Sequence, residues 1–475
     1  MKSLFRSFHS KTKLLSEVFP VFELDKDHEN PLSEPFLISK SRGFLPRKDP
    51  IMKLPSKFEA LESLLQRMRW NQPNGSKGLL AKRHLGEAIE KELPEIDVSD
   101  INDKMIKLAI LRDYSFLTSA YLLEECHHNY LKTGNSYGIG REIIPKNLAK
   151  PFVKIATDLN MRPFLEYNSG YSLNNWYRLN HDRGIEINNI SVHRTFINMR
   201  SESGFILVHV AINQHGGMLV SSGLSVLKAA EMKDRAIFNE SLKEMCEVLV
   251  FMNQEFERMY YESNPSDYNI FRTFILGIIN QPMFPKGVIY EGCFDNKPQF
   301  FRGESGANDS IIPFCDNILQ ITESLPINPL TKILRDFRSY RPGTHQKFLD
   351  WSEEVAKKVE VLEFAKQDPV SMIRFLQVAD QIRAFRHRHW TLTNLYIINF
   401  SKHPVATGGS PIVTWLPNQL LTVIDFIKLN GKSIDQSGIN SFDRYNLNSI
   451  LIRAEVDERI IRRETEQKKK IFKEN

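Results

Sequence analysis

Apolar residues recur every three or four positions through most of the chain, which is the spacing of one face of an α-helix. The pattern is clearest in FEALESLLQRM, in MIKLAILRDYSFLTSAYLLEE and in LKAAEMKDRAIFNESLKEMCEVLVFMNQEFERMY. It predicts further helices over DYNIFRTFILGII, over residues 311–338 and over residues 352–399. Some alternation is visible in DRGIEINNISVHRTFINMR, which indicates either short strands or irregular chain. The sequence therefore predicts a mainly α fold, and no internal repeat is visible.

Segments rich in Pro, Gly and Asn separate these helices, and the longest, QPMFPKGVIYEGCFDNKPQFFRGESGAND, is predicted to be a loop. We expect an N-terminal extension over 1–44, a small helical domain over 45–195 and a larger helical domain over 196–431. Residues 432–475 read as a polar linker followed by the charged helix LIRAEVDERIIRRETEQKKKIF. Its many charges predict a solvated tail.

Charge and cysteine content narrow the classes of function. The net charge is +6, but much of the excess lies at the two ends and is not clustered with aromatic residues, so it is a poor indicator of nucleic-acid binding. Four separated cysteines without a CxxC pair indicate free thiols in a reducing compartment. No apolar run approaches the ~20 residues of a membrane-spanning helix. We expect a cytoplasmic monomer whose basic N-terminus is a frayed arm, with a mitochondrial transit peptide as the alternative.

Several polar residues stand inside apolar helical runs, where burial without a partner is costly. His209 in FILVHVAI is either a core histidine bonded to a backbone carbonyl or a functional one. Arg272 in IFRTFILGII needs an anionic partner if it is buried, and a ligand carboxylate would meet that need. In RHRHWTLTNLYII, His389 lies on a largely apolar helix face with Arg386 nearby. His387 lies on a different face and is expected to be solvated.

The surroundings of His389 are those that a haem ligand on a helix requires. An imidazole nitrogen binds the iron, apolar side chains cover the porphyrin, and basic groups meet the propionates. Position alone does not separate this role from that of an ordinary core histidine.

A series of motifs resembles the indoleamine 2,3-dioxygenase family and occurs in that family's order. The motifs are IPKNLAKPF, LEYNSGYSLNNW, GFILVH, FRTFILG, VIYEGCF, FRGESGAND, FCD, FRSYRPGTHQKFL, FRHRHWTLTNLYII and ATGGSP. The resemblance covers about residues 44–430 and leaves both tails outside. It implies a helical fold with a small N-terminal domain and a larger haem-binding domain.

The resemblance also implies roles for residues that would hold haem b. His389 would be the proximal ligand of the iron. Arg386 would lie near the propionates and form an ion pair with Asp316. Ser305 would lie at the haem edge, close to Thr407, which is assigned to the substrate site.

Other residues would hold the substrate. Arg272 would bind the carboxylate of an amino acid, and Phe205 and Tyr167 would line an aromatic pocket for an indole ring. His209 takes the distal position, where mammalian members carry serine and the related tryptophan 2,3-dioxygenases carry histidine, and it is the predicted catalytic residue. Glu304 in GESGA departs from the family's glycine-rich loop.

The implied reaction uses ferrous haem b and inserts both atoms of O2 across the indole C2–C3 bond of L-tryptophan. The product would be N-formylkynurenine, which begins the kynurenine pathway. Two alternatives remain open. The first is a non-enzymatic haem protein that binds O2, which His209 favours and Arg272 does not. The second is a haem enzyme of the same superfamily that acts on another indole.

Overall fold

The computed structural model describes residues 30–321, 329–400 and 405–473. Helices make up most of this part of the chain, and the strands form two sheets of two strands each. The predicted mainly α class is therefore confirmed. Residues 1–29 of the predicted extension lie outside the described residues, whereas Phe36 and Phe44 are buried in the core. The domain boundaries stay a prediction.

The first group of helices is arranged around one long buried helix. These helices are α1 (Glu59–Met68), α2 (Leu79–Lys82), α3 (Leu85–Glu92), α4 (Lys104–Thr133) and α5 (Lys146–Asp158). Helix α4 carries apolar residues around its whole circumference, and a helix of that kind is normally buried. Asp103 caps its start by accepting hydrogen bonds from the N–H groups of Met105 and Ile106. Gly134, at φ 74°, ends it in the left-handed conformation.

The strands are short, and each pairs one loop segment with another. They are β1 (Ile143–Ile144), β2 (Trp176–Arg178), β3 (Ile190–Val192) and β4 (Ile289–Tyr290). Strands β1 and β4 are parallel, with Ile143 opposite Ile289, and β2 and β3 are antiparallel, with Trp176 opposite Val192. The alternation in DRGIEINNISVHRTFINMR thus corresponds to β3, and β4 interrupts the predicted long loop.

The second group of helices builds the larger part of the molecule. They are α6 (Arg200–Asn213), α7 (Gly216–Met232), α8 (Arg235–Glu257), α9 (Met259–Glu262), α10 (Pro265–Arg272), α11 (Ile311–Ile318), α12 (Pro329–Arg338), α13 (Gly343–Lys358), α14 (Val361–Lys366), α15 (Pro369–Thr393), α16 (Ile412–Lys432) and α17 (Ser441–Lys473). Helix α15 contacts α8, α16 and α17 and continues into a π-helical turn, Asn394–Ile398. It is the central helix of this group.

The helix predicted over DYNIFRTFILGII is shorter than its apolar pattern suggests. It ends at Arg272 and is followed by a 3-10 turn, Thr273–Ile275. The next backbone segment pairs with loops, and Gly277 donates its N–H to the Thr407 carbonyl at 2.9 Å. A Cβ on Gly277 would lie 2.1 Å from the Gly303 nitrogen, so this approach requires glycine. Pairing with distant loops therefore overrides the local helical spacing.

The helices predicted over 311–338 and 352–399 are both interrupted. The first stops at Ile318, and residues 322–328 lie outside the described residues. The second begins earlier than predicted, with α13, and is broken at Glu360, which has a φ of 56°. Asp368 then caps α15, whose first residue is Pro369, a residue favoured at that position.

The prediction of a solvated C-terminal tail is wrong for α17, which packs along α15 and α16. Its buried apolar residues recur at helical spacing and are Leu447, Ile450, Ala454 and Ile461. Asp457 forms an ion pair with Arg383 of α15. The expectation that His387 is solvated is met only in part, because its side chain is 32% exposed but its Nδ1 lies 3.1 Å from Asp457. The charges of Asp457 and Glu458 on this helix belong to partly buried pairs with Arg383 and Lys428.

Among the helices of the described ranges, α16 alone is long and apolar enough to cross a membrane, with a mean hydropathy of 1.2 over its most apolar 18 residues. Of that window, 61% is buried inside the protein. The helix contacts α15 and α17, and Pro417, Gln419 and Asn430 are among its buried residues. This packing is that of a core helix.

Candidate active site

A large cavity lies among α6, α11, α15, α16 and the loops between them. About 1730 Å³ lies outside protein atoms when the open mouth and its solvent are included. Most residues predicted for the site line this cavity: Tyr167, Phe205, His209, Ser305, Asp316, Arg386, His389 and Thr407. Residues that are up to 240 positions apart in the sequence therefore meet in one space.

His389 projects into the cavity from α15. Its ring packs edge-on to Phe256 with 6.4 Å between centroids. Burial, together with a smaller effect of the nearby His209, lowers the pKa of His389 to about 4. The imidazole is therefore neutral at physiological pH, and the neutral form is the one that binds metals.

His209 projects from α6 into the same cavity. Its Nδ1 lies 2.8 Å from the Phe205 carbonyl oxygen, which can only accept, so Nδ1 carries the proton. The ring stands edge-on to Phe205 and Tyr167, at centroid distances of 5.0 and 5.5 Å. Burial lowers the pKa of His209, which keeps it neutral and leaves Nε2 as a hydrogen-bond acceptor. Both sequence interpretations apply, because the ring bonds a backbone carbonyl and also lines the cavity.

Tyr167 is fixed by a buried polar group that the sequence did not indicate. Its hydroxyl donates to Asp309 at 2.7 Å, and the Asn213 amide donates to the same carboxylate oxygen at 2.8 Å. Glu166, just before the π-helical turn Tyr167–Tyr171, accepts backbone hydrogen bonds that cap the turn. The aromatic wall of the cavity is therefore held in one orientation.

Basic and donor groups gather at one side of the cavity. Arg386 forms an ion pair with Asp316 at 2.5 Å. Burial raises the pKa of Asp316, and the Arg386 charge opposes that rise. Three buried donors on the lining find no partner in the described part of the chain: Arg341 Nη1, Trp415 Nε1 and Gln419 Nε2. None of the three was a predicted site residue, although Arg341 lies within the FRSYRPG motif.

Glu304 lines the cavity beside Ser305. Its side chain is 2% exposed, and it forms no hydrogen bond or ion pair within the described ranges. Burial raises the pKa of Glu304 to about 8, and repulsion by Glu166 adds to the rise. The sequence identified Glu304 only as a departure from the family pattern.

Arg272 is the predicted site residue that does not line the cavity. Its guanidinium is fully buried and donates to the Val405 carbonyl at 3.0 Å. It forms no ion pair with any described carboxylate. Burial raises the pKa of Tyr268, a lining residue, and the Arg272 charge opposes that rise, so the two side chains lie close together. Arg272 would have to leave Val405 to enter the cavity.

A family model of indoleamine 2,3-dioxygenase matches residues 32–415 of this chain. The chain belongs to that family. Indoleamine 2,3-dioxygenase 1 of Rattus norvegicus is 23% identical to it over 70% of this chain and 78% of that protein. Indoleamine 2,3-dioxygenase nanC of Aspergillus nanangensis is 26% identical over 68% of this chain and 76% of that protein. The 6-hydroxytryptophan 2,3-dioxygenase fscD of Fusarium equiseti is 25% identical over 66% of this chain and 72% of that protein.

The resemblance predicted from the motifs is thus confirmed, and family membership makes the chain a haem dioxygenase of the indoleamine 2,3-dioxygenase type. The residues of the cavity fit such a cofactor. His389 offers a neutral imidazole, and the apolar side chains of Phe256, Phe385 and Leu392 line the cavity near it. The unpartnered donors and the arginines are the groups that propionate carboxylates require.

Proposed function

We propose that this chain is a haem-dependent dioxygenase that converts L-tryptophan to N-formylkynurenine. The observation that carries the proposal is the presence of His389, His209 and a fixed aromatic wall in one cavity. Haem b, held through its iron by His389, would supply the activation of O2 for insertion across the indole C2–C3 bond. Arg386, oriented by Asp316, and Ser305 would hold the edge of the cofactor.

The aromatic wall would hold the indole ring. Phe205 and Tyr167 offer ring faces and edges to a flat substrate, which favours stacked and edge-on contacts. Asp309 keeps the Tyr167 ring in place through its hydroxyl. A wall that does not need to rearrange holds the substrate in a reactive orientation at little entropic cost.

His209 would act on the indole nitrogen. Its Nδ1 proton is engaged by the Phe205 carbonyl, so its Nε2 accepts and does not donate. The indole N–H is the donor on the substrate that matches this acceptor. His209 would therefore orient the ring and hold the N–H proton, without itself being charged.

Arg272 is proposed to bind the substrate carboxylate, with Thr407 beside it. In support, Arg272 is a fully buried cation without an ion-pair partner among the described carboxylates, and such a cation is stabilised by a ligand anion. Its bond to the Val405 carbonyl is weaker than a bidentate pair with a carboxylate. Thr407 lines the cavity, and its carbonyl fixes the loop after α10.

A ring-hydroxylated tryptophan is the second candidate substrate. The observation that favours it is the relative named 6-hydroxytryptophan 2,3-dioxygenase, whose identity to this chain is similar to that of the other relatives. A polar group on the indole would also find polar side chains on the cavity lining.

The proposal is tested by producing the protein with haem supplied and recording its Soret band. Reductant, O2 and L-tryptophan are then added, and N-formylkynurenine is measured by chromatography. We expect a Soret band and turnover, with 6-hydroxy-L-tryptophan assayed in parallel. A haem-loaded protein that turns over neither compound would overturn the proposed reaction.

Replacement of the proposed iron ligand gives a sharper test. We expect His389→Ala to abolish the Soret band, because no other imidazole on α15 faces the cavity. His387→Ala is the matched control, since His387 lies on the same helix but pairs with Asp457. The control should keep its band, and an unchanged band in His389→Ala would remove His389 from the site.

A further inference from the structure

The cavity contains three carboxyl groups, and two of them are already engaged. Asp316 pairs with Arg386 at 2.5 Å, and Asp309 accepts hydrogen bonds from Tyr167 and Asn213. Glu304 is the third, and within the described ranges it has no partner. Its burial is nearly complete, at 2% exposure, and its side chain lines the cavity. A buried carboxyl without a partner is costly unless a ligand supplies one.

The loop that carries Glu304 is held in place by a backbone contact and a hydrogen bond. A Cβ on the preceding residue, Gly303, would lie 2.4 Å from the Gly277 nitrogen, so the two backbones are in contact. Arg302, on the other side of Gly303, donates to the Gly408 carbonyl at 2.6 Å. Glu304 is therefore held at the cavity by its backbone and is not free to swing out to solvent.

No charged group around Glu304 neutralises the charge of its carboxylate. Glu166 repels it, and the arginines of the lining, Arg338, Arg341 and Arg386, form no ion pair with it in the described structure. A cationic group on the ligand is the partner that would stabilise the ionised form of Glu304. Glu304 also lies near the aromatic wall, because its charge raises the pKa values of Tyr167 and Tyr268.

We propose that Glu304 binds the protonated amino group of the substrate. This contact would make the enzyme selective for indoles that carry an ammonium group. This inference rests on the proposed function, since it assumes an indole in this cavity. It adds a specificity residue that departs from the glycine-rich family loop. Recognition would be divided, with Glu304 on the ammonium and Arg272 on the carboxylate.

Because Glu304 must lose a proton before it can pair with an ammonium, the proposal predicts that the affinity for an amine depends on pH. Burial raises the pKa of Glu304 to about 8, so at pH 7 an ammonium can pair with it only after its proton is released. The titratable groups that interact with it are Glu166, Tyr167, Tyr171 and Tyr268. The other charged or titratable groups on the lining include His209, Asp309, Arg338, Arg341 and Arg386. Burial keeps the tyrosines protonated at pH 6 to 8, and it lowers the pKa of His209, which favours its neutral form. The affinity for an amine should therefore rise roughly tenfold per pH unit from pH 6 to 7.

The test measures equilibrium binding to the haem-loaded ferrous protein without O2, so that turnover plays no part. Tryptamine carries the amine without a carboxylate, and indole-3-propionate carries a carboxylate without the amine. We expect Glu304→Gln to weaken tryptamine binding at pH 8 by about tenfold to a hundredfold, the range for a hydrogen bond to a charged group. Indole-3-propionate should change less than about twofold, and the pH dependence for tryptamine should disappear in the variant.

The outcomes separate this inference from the proposed function. Equal losses for both ligands would mean that Glu304 only shapes the cavity, and no loss for either would mean that it does not contact the ligand. Both results overturn the inference while the Soret band and turnover of the wild type remain. A changed Soret band in Glu304→Gln without a change for tryptamine would assign Glu304 to the cofactor edge instead. Absence of haem from the wild type would overturn the proposed function itself.

Discussion

At the residue scale, the proton on His209 decides what this side chain can do. The carbonyl of Phe205 holds the Nδ1 proton, so Nε2 is an acceptor that suits the indole N–H. We expect His209→Ala to weaken L-tryptophan binding to the ferrous protein about fivefold, which corresponds to about 1 kcal/mol for one hydrogen bond. The binding of 1-methyl-L-tryptophan, which lacks the N–H, should change little.

Comparing L-tryptophan with 1-methyl-L-tryptophan in the same variant separates the loss of a hydrogen bond from the loss of packing. A loss of the same size for both would show that the ring contributes packing against Tyr167 and Phe205 and no hydrogen bond. A gain in 1-methyl-L-tryptophan binding would reflect space released next to its methyl group, and it agrees with the acceptor role when L-tryptophan binds more weakly. Only a loss confined to L-tryptophan agrees with the acceptor role.

Site residues could be predicted from the sequence where they break a local pattern. His209 and His389 stand out because each interrupts an apolar helical run, and the family motifs then relate them to one another. Glu304 could not be recognised in this way, since its isolation depends on which side chains reach it in three dimensions. The orientation of Arg272 was also hidden, because it is set by the Val405 carbonyl on a distant loop.

At the element scale, α17 stabilises the helix that carries His389. Asp457 pairs with Arg383, and Trp390 donates its indole N–H to Glu464 at 2.7 Å. We expect Asp457→Asn to lower the free energy of unfolding by about 2–3 kcal/mol, because it leaves the buried Arg383 with Asp380 alone. Urea denaturation of the haem-free protein measures the change.

Helix α17 itself supplies the control for that variant. Glu455 lies 3.8 Å from Lys432, and both side chains are more than half exposed. An exposed pair of this kind contributes little, so Glu455→Gln should change the free energy of unfolding by no more than about 0.5 kcal/mol. If the two variants behave alike, the ion pairs of α17 do not stabilise α15.

The elements show which parts of a helical fold a single sequence reveals. Apolar periodicity identified the long helices, because burial of one face produces that period. It failed at DYNIFRTFILGII, where contact between Gly277 and Gly303 replaces helical hydrogen bonds. It failed again at α17, because a face that is rich in charges looks solvated until its ion-pair partners on other helices are known.

At the scale of the whole molecule, buried titratable groups should make stability depend on pH in both directions. The histidines with the largest shifts are His127, His193, His345 and His389, whose pKa values burial lowers to about 3, 2, 3 and 4. Unfolded histidine titrates near pH 6.5. The contribution of these histidines to the free energy of unfolding is therefore present above about pH 6.5. It is lost as the pH falls, because the unfolded chain then binds more protons than the folded chain.

Two buried acids act in the opposite direction at higher pH. Burial raises the pKa of Glu202 to about 7 and that of Glu304 to about 8, whereas an unfolded glutamate titrates near 4.3. Their contribution is present below about pH 4.3 and is lost as the pH rises towards 8, because the folded chain then holds more protons. Below pH 6.5 the four histidines outweigh the two acids, so the free energy of unfolding rises with pH. Above pH 6.5 only the acids titrate, so it falls with pH, and we expect maximal stability near pH 6.5.

Urea midpoints of the haem-free protein at pH 5, 6.5 and 8 measure this profile, and Glu304→Gln isolates one acid. Each proton exchanged on unfolding changes the free energy by about 1.4 kcal/mol per pH unit. The wild type should lose stability from pH 6.5 to 8, and the variant should lose less, because only Glu202 still titrates. A loss of the same size in the wild type and in Glu304→Gln would show that Glu304 does not titrate in the folded protein between pH 6.5 and 8, which contradicts its raised pKa.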